Sequence, residues 1–198
     1  MNLKEALELR RSYYAIGNAS PVSDKQLQEL VEFAATHVPS AFNSQSSRLV
    51  LLLGEAHTKL WNIVKDTLRP IVPPSAFPKT EEKIDNCFAA GHGTVLFFED
   101  QEVVAGLQKQ FPAYAENFPV WSEHTSAMHQ LATWTLLRES GLGASLQHYN
   151  PLIDKSVRTA YDLPDTWKLV AQMPFGNPLA APGEKEFKPI SEKVRVIR

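Results

Sequence analysis

Val120 to Ser140 reads VWSEHTSAMHQLATWTLLRES, and the arc over which its apolar residues spread decides the fold class. At helical period Ala127, Leu131, Trp134 and Arg138 fall on one stripe, while Met128, Ala132, Thr135 and Leu136 cover much of a second. A helix apolar over so wide an arc lies at the centre of its domain or is shared between subunits. Gly141 and Gly143 end it. Working back towards the N-terminus, residues 101–111 read as a helix stopped by Phe111-Pro112. Thr94 to Glu99, TVLFFE, is the strongest strand signal in the chain. Residues 81–90 are expected to be helical, and Pro70, Pro73, Pro74 and Pro78 mark 69–79 as an irregular excursion. Arg48 to Leu53, RLVLLL, suits a buried strand, with Gly54 ending it and a helix over Ala56 to Leu68. Ser23 reads as the N-cap of a helix carrying Leu27, Leu30, Val31 and Ala34, which stops before Pro39. A first short helix holds Leu3, Ala6, Leu7 and Leu9. Towards the C-terminus, Pro151 to Tyr161 predicts one more helix and Trp167 to Met173, WKLVAQM, a final strand. The expected fold class is α+β, with a few buried strands wrapped by more numerous helices.

With 198 residues, the chain is expected to form one domain spanning 1–198. Size scaling gives roughly 9,000 Å² of folded surface against roughly 32,000 Å² unfolded, enough burial for a sizeable core. Hydrophobic residues make up 43% and charged residues 21%, which excludes a disordered composition. A formal net charge of −2 gives no electrostatic case for nucleic acid or an anionic membrane. The lone Cys87 excludes an internal disulfide framework and a multi-thiolate metal site, and it reads as a small buried residue. The N-terminus MNLKEALELRRSYY lacks the apolar stretch of a signal peptide, and no run approaches a membrane span, so a cytoplasmic location is expected.

Three polar constellations stand out. Arg10-Arg11-Ser12 follows the first helix, and two guanidiniums beside a hydroxyl suit phosphate oxygens, although a basic pair at a helix C-terminus also suits the macrodipole. Ser40, Asn43 and Gln45 gather hydroxyl and amide groups in the loop before the RLVLLL strand; such groups can read a polar ring edge or only satisfy the loop's own backbone. Gly141 to Asn150, GLGASLQHYN, offers a glycine-bearing turn able to present backbone amides to a flat ligand. It follows a helix and has Leu146 where a third glycine would stand, so it is not a dinucleotide fingerprint. The six histidines make no metal set, and only His148 lies inside a candidate motif. Late in the chain Lys193-Val194-Arg195 adds two cations.

In this order, Arg10-Arg11-Ser12, Pro39-Ser40-x-x-Asn43-x-Gln45, the Gly-x-Gly turn and Lys193-x-Arg195 resemble the nitroreductase family, and Gly141 to Asp154 resembles its fatty-acid-repression-mutant branch. The resemblance implies an α+β fold with a central mixed or antiparallel sheet, dimeric, with FMN at the subunit interface. It implies Arg10, Arg11 and Ser12 on the flavin phosphate or ring edge, with Lys193 and Arg195 adding cations at the phosphate. Ser40, Asn43 and Gln45 would approach from the partner subunit. Leu146, Gln147 and His148 would line the ring through backbone amides. It further implies NAD(P)H as donor, a nitroaromatic or quinone as acceptor, a ping-pong two-electron cycle, and no metal or side-chain acid. The alternative it leaves is a flavin-binding regulatory protein of lipid or stress response with little turnover. Two departures stand in the chain: Tyr14 where many members have lysine, and Ser46 where the loop glutamine is usually followed by proline. No second lysine for the flavin pyrimidine is assigned in 69–90.

Overall fold

The computed structural model describes residues 1–198. A strongly buried antiparallel sheet lies between two groups of helices. Its strands are β1 (Ile16–Gly17), β2 (Ser47–Leu53), β3 (Gly93–Asp100), β4 (Gly143–Ala144) and β5 (Trp167–Pro178), in the order β1-β5-β3-β2 with β4 also on β5. Every pairing between named strands is antiparallel, which settles the mixed-or-antiparallel alternative; a single parallel bridge joins Ser12, outside the strands, to Ala144 of β4. β3 is central, pairing Val95 with Leu51 on one side and Met173 on the other, and all its residues are buried. Burial on both faces explains its unbroken apolar run.

Two side-chain cores follow from the pleat. Leu96 and Phe98 point to one face, where they meet Leu60, Trp61 and Val64 of α3 (Gly54–Leu68) and Val157 of α7 (Asp154–Tyr161). Val95 and Phe97 point to the other, towards Leu27 and Val31 of α2 (Asp24–His37) and Leu137 of α6 (Asn117–Glu139). Ser23 caps α2 with a reciprocal Gln26 bond, as the sequence implied. Leu3–Leu9 is α1, Gln101–Gln110 is α5, and the excursion after α3 closes into α4 (Phe77–Ile84) and a π-helical turn, Asp85–Ala89. Arg69 draws it in, stacked 4.4 Å from the Phe77 ring and paired with Glu81 at 3.1 Å. The irregular stretch is therefore shorter than 69–79.

The long helix starts at Asn117, and its buried face is not the apolar one. Ser122, Thr125, Ser126, His129, Gln130 and Thr133 are buried, while Val120, Met128 and Leu131 are exposed. Hydroxyls make this possible by bonding backward: Ser122 to the Pro119 carbonyl, Thr125 to that of Trp121, Thr135 to that of Leu131. Apart from Thr133 Oγ1, which has no partner, the helix presents a locally bonded polar face inward and an apolar stripe outward. The chain accordingly exposes 11577 Å², more than the roughly 9,000 Å² expected of a monomer this size.

His57 is fully used in the core. Its Nε2 meets the Ala89 carbonyl at 3.1 Å, so this nitrogen carries the proton. Its Nδ1 then accepts from Thr94 Oγ1 at 2.9 Å, and that hydroxyl accepts from Trp61 Nε1 at 3.1 Å. Burial lowers the pKa of His57 and of His129, which bonds the Thr125 carbonyl. The unfolded chain binds these protons near the ordinary histidine pKa, about 6.5, and the folded chain only below it. Stability contributed by the neutral rings is therefore complete above about pH 6.5 and lost as pH falls through and below it. Denaturant midpoints measured from pH 7.5 to 5.5 should fall, and substitution of His57 and His129 by glutamine should flatten the decline.

Candidate functional site

The arm Arg10–Tyr14 leaves α1 extended and docks on the turn after α6. Ser12 bridges to Ala144, and Tyr13 donates its amide to the Ala144 carbonyl at 2.9 Å. Gly143 is needed there, because a Cβ would stand 2.8 Å from the Tyr13 side chain. The structure thus joins two of the constellations singled out from the sequence, Arg10 to Ser12 and Gly141 to Asn150, at Ser12 and Ala144.

Beyond Ala144 the backbone runs beside β5 with alternating amides. Ser145 donates to the Pro174 carbonyl, Gln147 exchanges both bonds with Gln172 at 2.7 and 2.9 Å, and Tyr149 donates to Gln172 Oε1 at 2.8 Å. The amides of 145, 147 and 149 are therefore used, and those of Leu146 and His148 point to the opposite side with no partner in the chain. Gln147 differs from its two neighbours: its amide belongs to the sheet and its side chain donates to Ser145 Oγ at 3.0 Å. Gln172, buried in β5, templates this turn, its Nε2 also reaching Asn150 Oδ1. A glutamine in an otherwise apolar strand was the sequence signal for it.

Ser40, Asn43 and Gln45 lie elsewhere. Ser40 Oγ accepts from the Gln45 amide at 3.0 Å, closing a loop in which Phe42, Asn43 and Gln45 all adopt positive φ. Such a backbone is strained for side chains other than glycine and needs anchors. One anchor is aromatic, with Phe42 stacked on Trp121 at 5.8 Å and edge-on to Phe118 at 5.3 Å. The other is Glu99, buried at the end of β3, which accepts from Ser46 Oγ at 2.6 Å and from Ser47 Oγ. Burial pushes the Glu99 carboxyl above the usual range, although both hydroxyls oppose this. Ser46 replaces the usual proline and supplies one of those hydroxyls.

The two halves sit at opposite ends of α6. The loop packs on Trp121, whereas the Arg10 guanidinium lies 4.5 Å from the Trp134 ring. Thirteen residues of helix separate them, roughly 20 Å at 1.5 Å rise. Within one protomer Asn43 and Gln45 are exposed and do not join the arm. Lys193 and Arg195 lie in an exposed tail, Lys193 following a short helical turn at Ile190–Glu192.

Charge on the arm is uncompensated: none of the chain's seven ion pairs includes Arg10 or Arg11. Burial, with Arg11 adding to it, lowers the Arg10 pKa, and Arg10 Nε is buried without a partner. Arg11 donates to the Gly183 carbonyl at 2.7 Å, drawing the start of the tail alongside the arm. Tyr14 is exposed, and Lys83 of α4 stands 6.0 Å from its ring centroid, a cation the sequence did not assign. Cys87 is half-buried and its thiol is pushed up by burial, as suits an inert packing residue.

Comparison with known proteins follows the same outline. The model of the Nitroreductase family matches residues 7–177. The nitroreductase FRM2 of Saccharomyces cerevisiae is 35% identical over 190 residues, covering 94% of this chain and 93% of that one. Nitroreductase CinD from Lactococcus lactis, solved with chloramphenicol, superposes with a TM-score of 0.91 at 43% identity over the whole of both chains. The same enzyme solved with 4-nitrophenol gives 0.90 at 44%. A protein of this fold from Desulfovibrio desulfuricans, 18% identical with a TM-score of 0.70, was solved with FMN.

Proposed function

The chain belongs to the nitroreductase family, and from that premise we propose that it is an FMN-dependent oxidoreductase passing electrons from NAD(P)H to nitroaromatic or quinone acceptors. The whole chain, 1–198, is then one FMN-binding domain working in the cytoplasm as a homodimer. The observation that carries the reading is a set of unused donors on the arm and on the turn it docks against: the amides of Leu146 and His148 and the unpaired Nε of Arg10. Donors without acceptors fit a ligand rich in acceptors and negative charge, which describes both the carbonyl-and-nitrogen edge of an isoalloxazine and a phosphate.

When bound, FMN supplies the two-electron chemistry, and the protein supplies orientation and charge. Leu146 and His148 amides orient the ring edge, with Gln147 lining the same turn. Ser12 and Arg10 hold the arm side, Arg11 adds charge, and Lys83 beside Tyr14 brings a cation to the neighbouring edge. Ser40, Asn43 and Gln45 reach the flavin from the partner subunit, and Lys193 and Arg195 of the tail close on the phosphate. The separation of loop and arm along α6 supports this sharing, because a two-fold places one copy's loop beside the other's arm. The apolar groove that α1, α2 and α6 leave open supports it too: Leu3 is 69% exposed, Phe33 55% and Leu131 48%.

CinD was solved with chloramphenicol and with 4-nitrophenol, which supports aromatic acceptors here. Donor and acceptor use one ring face in turn, so steady-state NAD(P)H oxidation at several nitroaromatic concentrations should give parallel double-reciprocal lines. Intersecting lines argue for separate sites. Flavin binding without turnover would favour a regulatory protein instead.

A further inference from the structure

Seven buried side-chain polar atoms in the chain lack a hydrogen-bond partner, and four of them fall on three residues beside the arm: Arg10 Nε, Trp134 Nε1, and Arg138 Nε and Nη1. Buried orphans are rare enough to need a cause. Trp134 and Arg138 lie one turn apart on α6, so they share a face. Arg10 stacks over Trp134, and the Arg138 guanidinium lies 5.4 Å from the Tyr13 ring.

Arg138 is not spent on capping its helix. The last-turn carbonyls already accept backbone amides, Leu136 from Ser140, Leu137 from Leu142 and Arg138 from Gly141. Nor does it form an ion pair. It opens instead on a cavity of about 320 Å³ walled by Tyr13 and Pro178–Ala181. That cavity shares Tyr13, Ala180 and Ala181 with a second of about 480 Å³, lined by Arg11–Ala15 and Ala180–Glu184. The two make one cleft leading from Ser12 to Arg138, in which Glu184 is the acidic lining residue.

We infer that Arg138 binds the phosphate of the flavin at its end of this cleft. The inference rests on reading the site as a flavin site, and it adds one residue to that reading. The orphaned Nε and Nη1 of Arg138 are charged N–H donors, as a phosphate with several acceptor oxygens requires. The cation–π contact with Tyr13 holds the Arg138 guanidinium in place before the ligand arrives, which lowers the ordering cost of binding.

The test is equilibrium binding of FMN and of riboflavin, followed by fluorescence quenching, to the wild-type protein and to Arg138→Gln. Arg69→Gln, an exposed arginine paired with Glu81, serves as a surface control. Arg138→Gln should weaken FMN roughly tenfold to a hundredfold, the scale of lost hydrogen bonds to a charged group, and leave riboflavin unchanged. Should Arg138→Gln fail to fold, Arg138→Lys keeps the cation and removes the guanidinium fork, and should show a smaller loss confined to FMN. Equal losses for the two flavins, or no loss for either, overturn the assignment while leaving the flavin reading intact. So does a variant that changes solution mass but not FMN preference, since a partner's carboxylate would then be the missing acceptor. A wild-type protein that binds neither flavin overturns the functional reading itself.

Discussion

Leu131→Glu is expected to halve the solution mass of the protein and strip its flavin in the same sample. Leu131 is 48% exposed on the outward stripe of α6, beside Leu3, Leu7, Phe33 and Met128. Within one protomer a glutamate there meets water and should change stability by less than about 0.5 kcal/mol, as surface substitutions do. Against a second copy it would be a carboxylate pressed into an apolar seam, at a cost of several kcal/mol. Cofactor loss follows because Ser40, Asn43 and Gln45 lie roughly 20 Å of helix from the arm of their own protomer. Light scattering and flavin absorbance on one preparation decide the matter. A monomer with a full complement of FMN would refute the shared site, and an unchanged dimer would refute the interface.

Arg10→Ala should cost FMN about 1.5–3 kcal/mol of binding, the worth of hydrogen bonds to a charged partner, and cost riboflavin little. The guanidinium lies over Trp134, unpaired by any carboxylate and partly desolvated, so its positive charge has no partner within the chain. Its removal also exposes indole surface, which thermal melting of the apoprotein would register separately. Equal affinity of the wild-type protein for riboflavin and FMN would sink the phosphate assignment.

How far the sequence carried depended on what each residue does at short range. TVLFFE was legible because β3 is buried on both faces and needs no alternation. β5 was read only to Met173, yet runs to Pro178 through Pro174 and Gly176. Those breakers are tolerated because β4 and β1 cross the same end of the strand, Gly176 packing where a Cβ would meet the Gly17 carbonyl at 2.0 Å. The apolar arc of Val120–Ser140 was read as a helix at the centre of the domain or shared between subunits, and the structure turns its apolar stripe outward. What stayed hidden is that serines and threonines fill the inward face, since their backward bonds leave no trace in a hydropathy pattern. The arm and the Leu146–His148 turn were found as motifs, and their union through Ser12 and Ala144 is tertiary. Which amides stay free needed the register with Gln172. Lys83, Trp134 and Arg138 carry no local signal; they matter through what the fold sets beside them.

The most direct test of the account is the pair of half-reactions, run without oxygen on protein loaded with FMN. NADH or NADPH alone should bleach the visible flavin band. After the spent donor is removed, a nitroaromatic such as 4-nitrophenol or chloramphenicol, or a quinone, should restore the band on its own. Protein that retains no FMN, or a band that donor bleaches but no nitroaromatic or quinone restores, would contradict it.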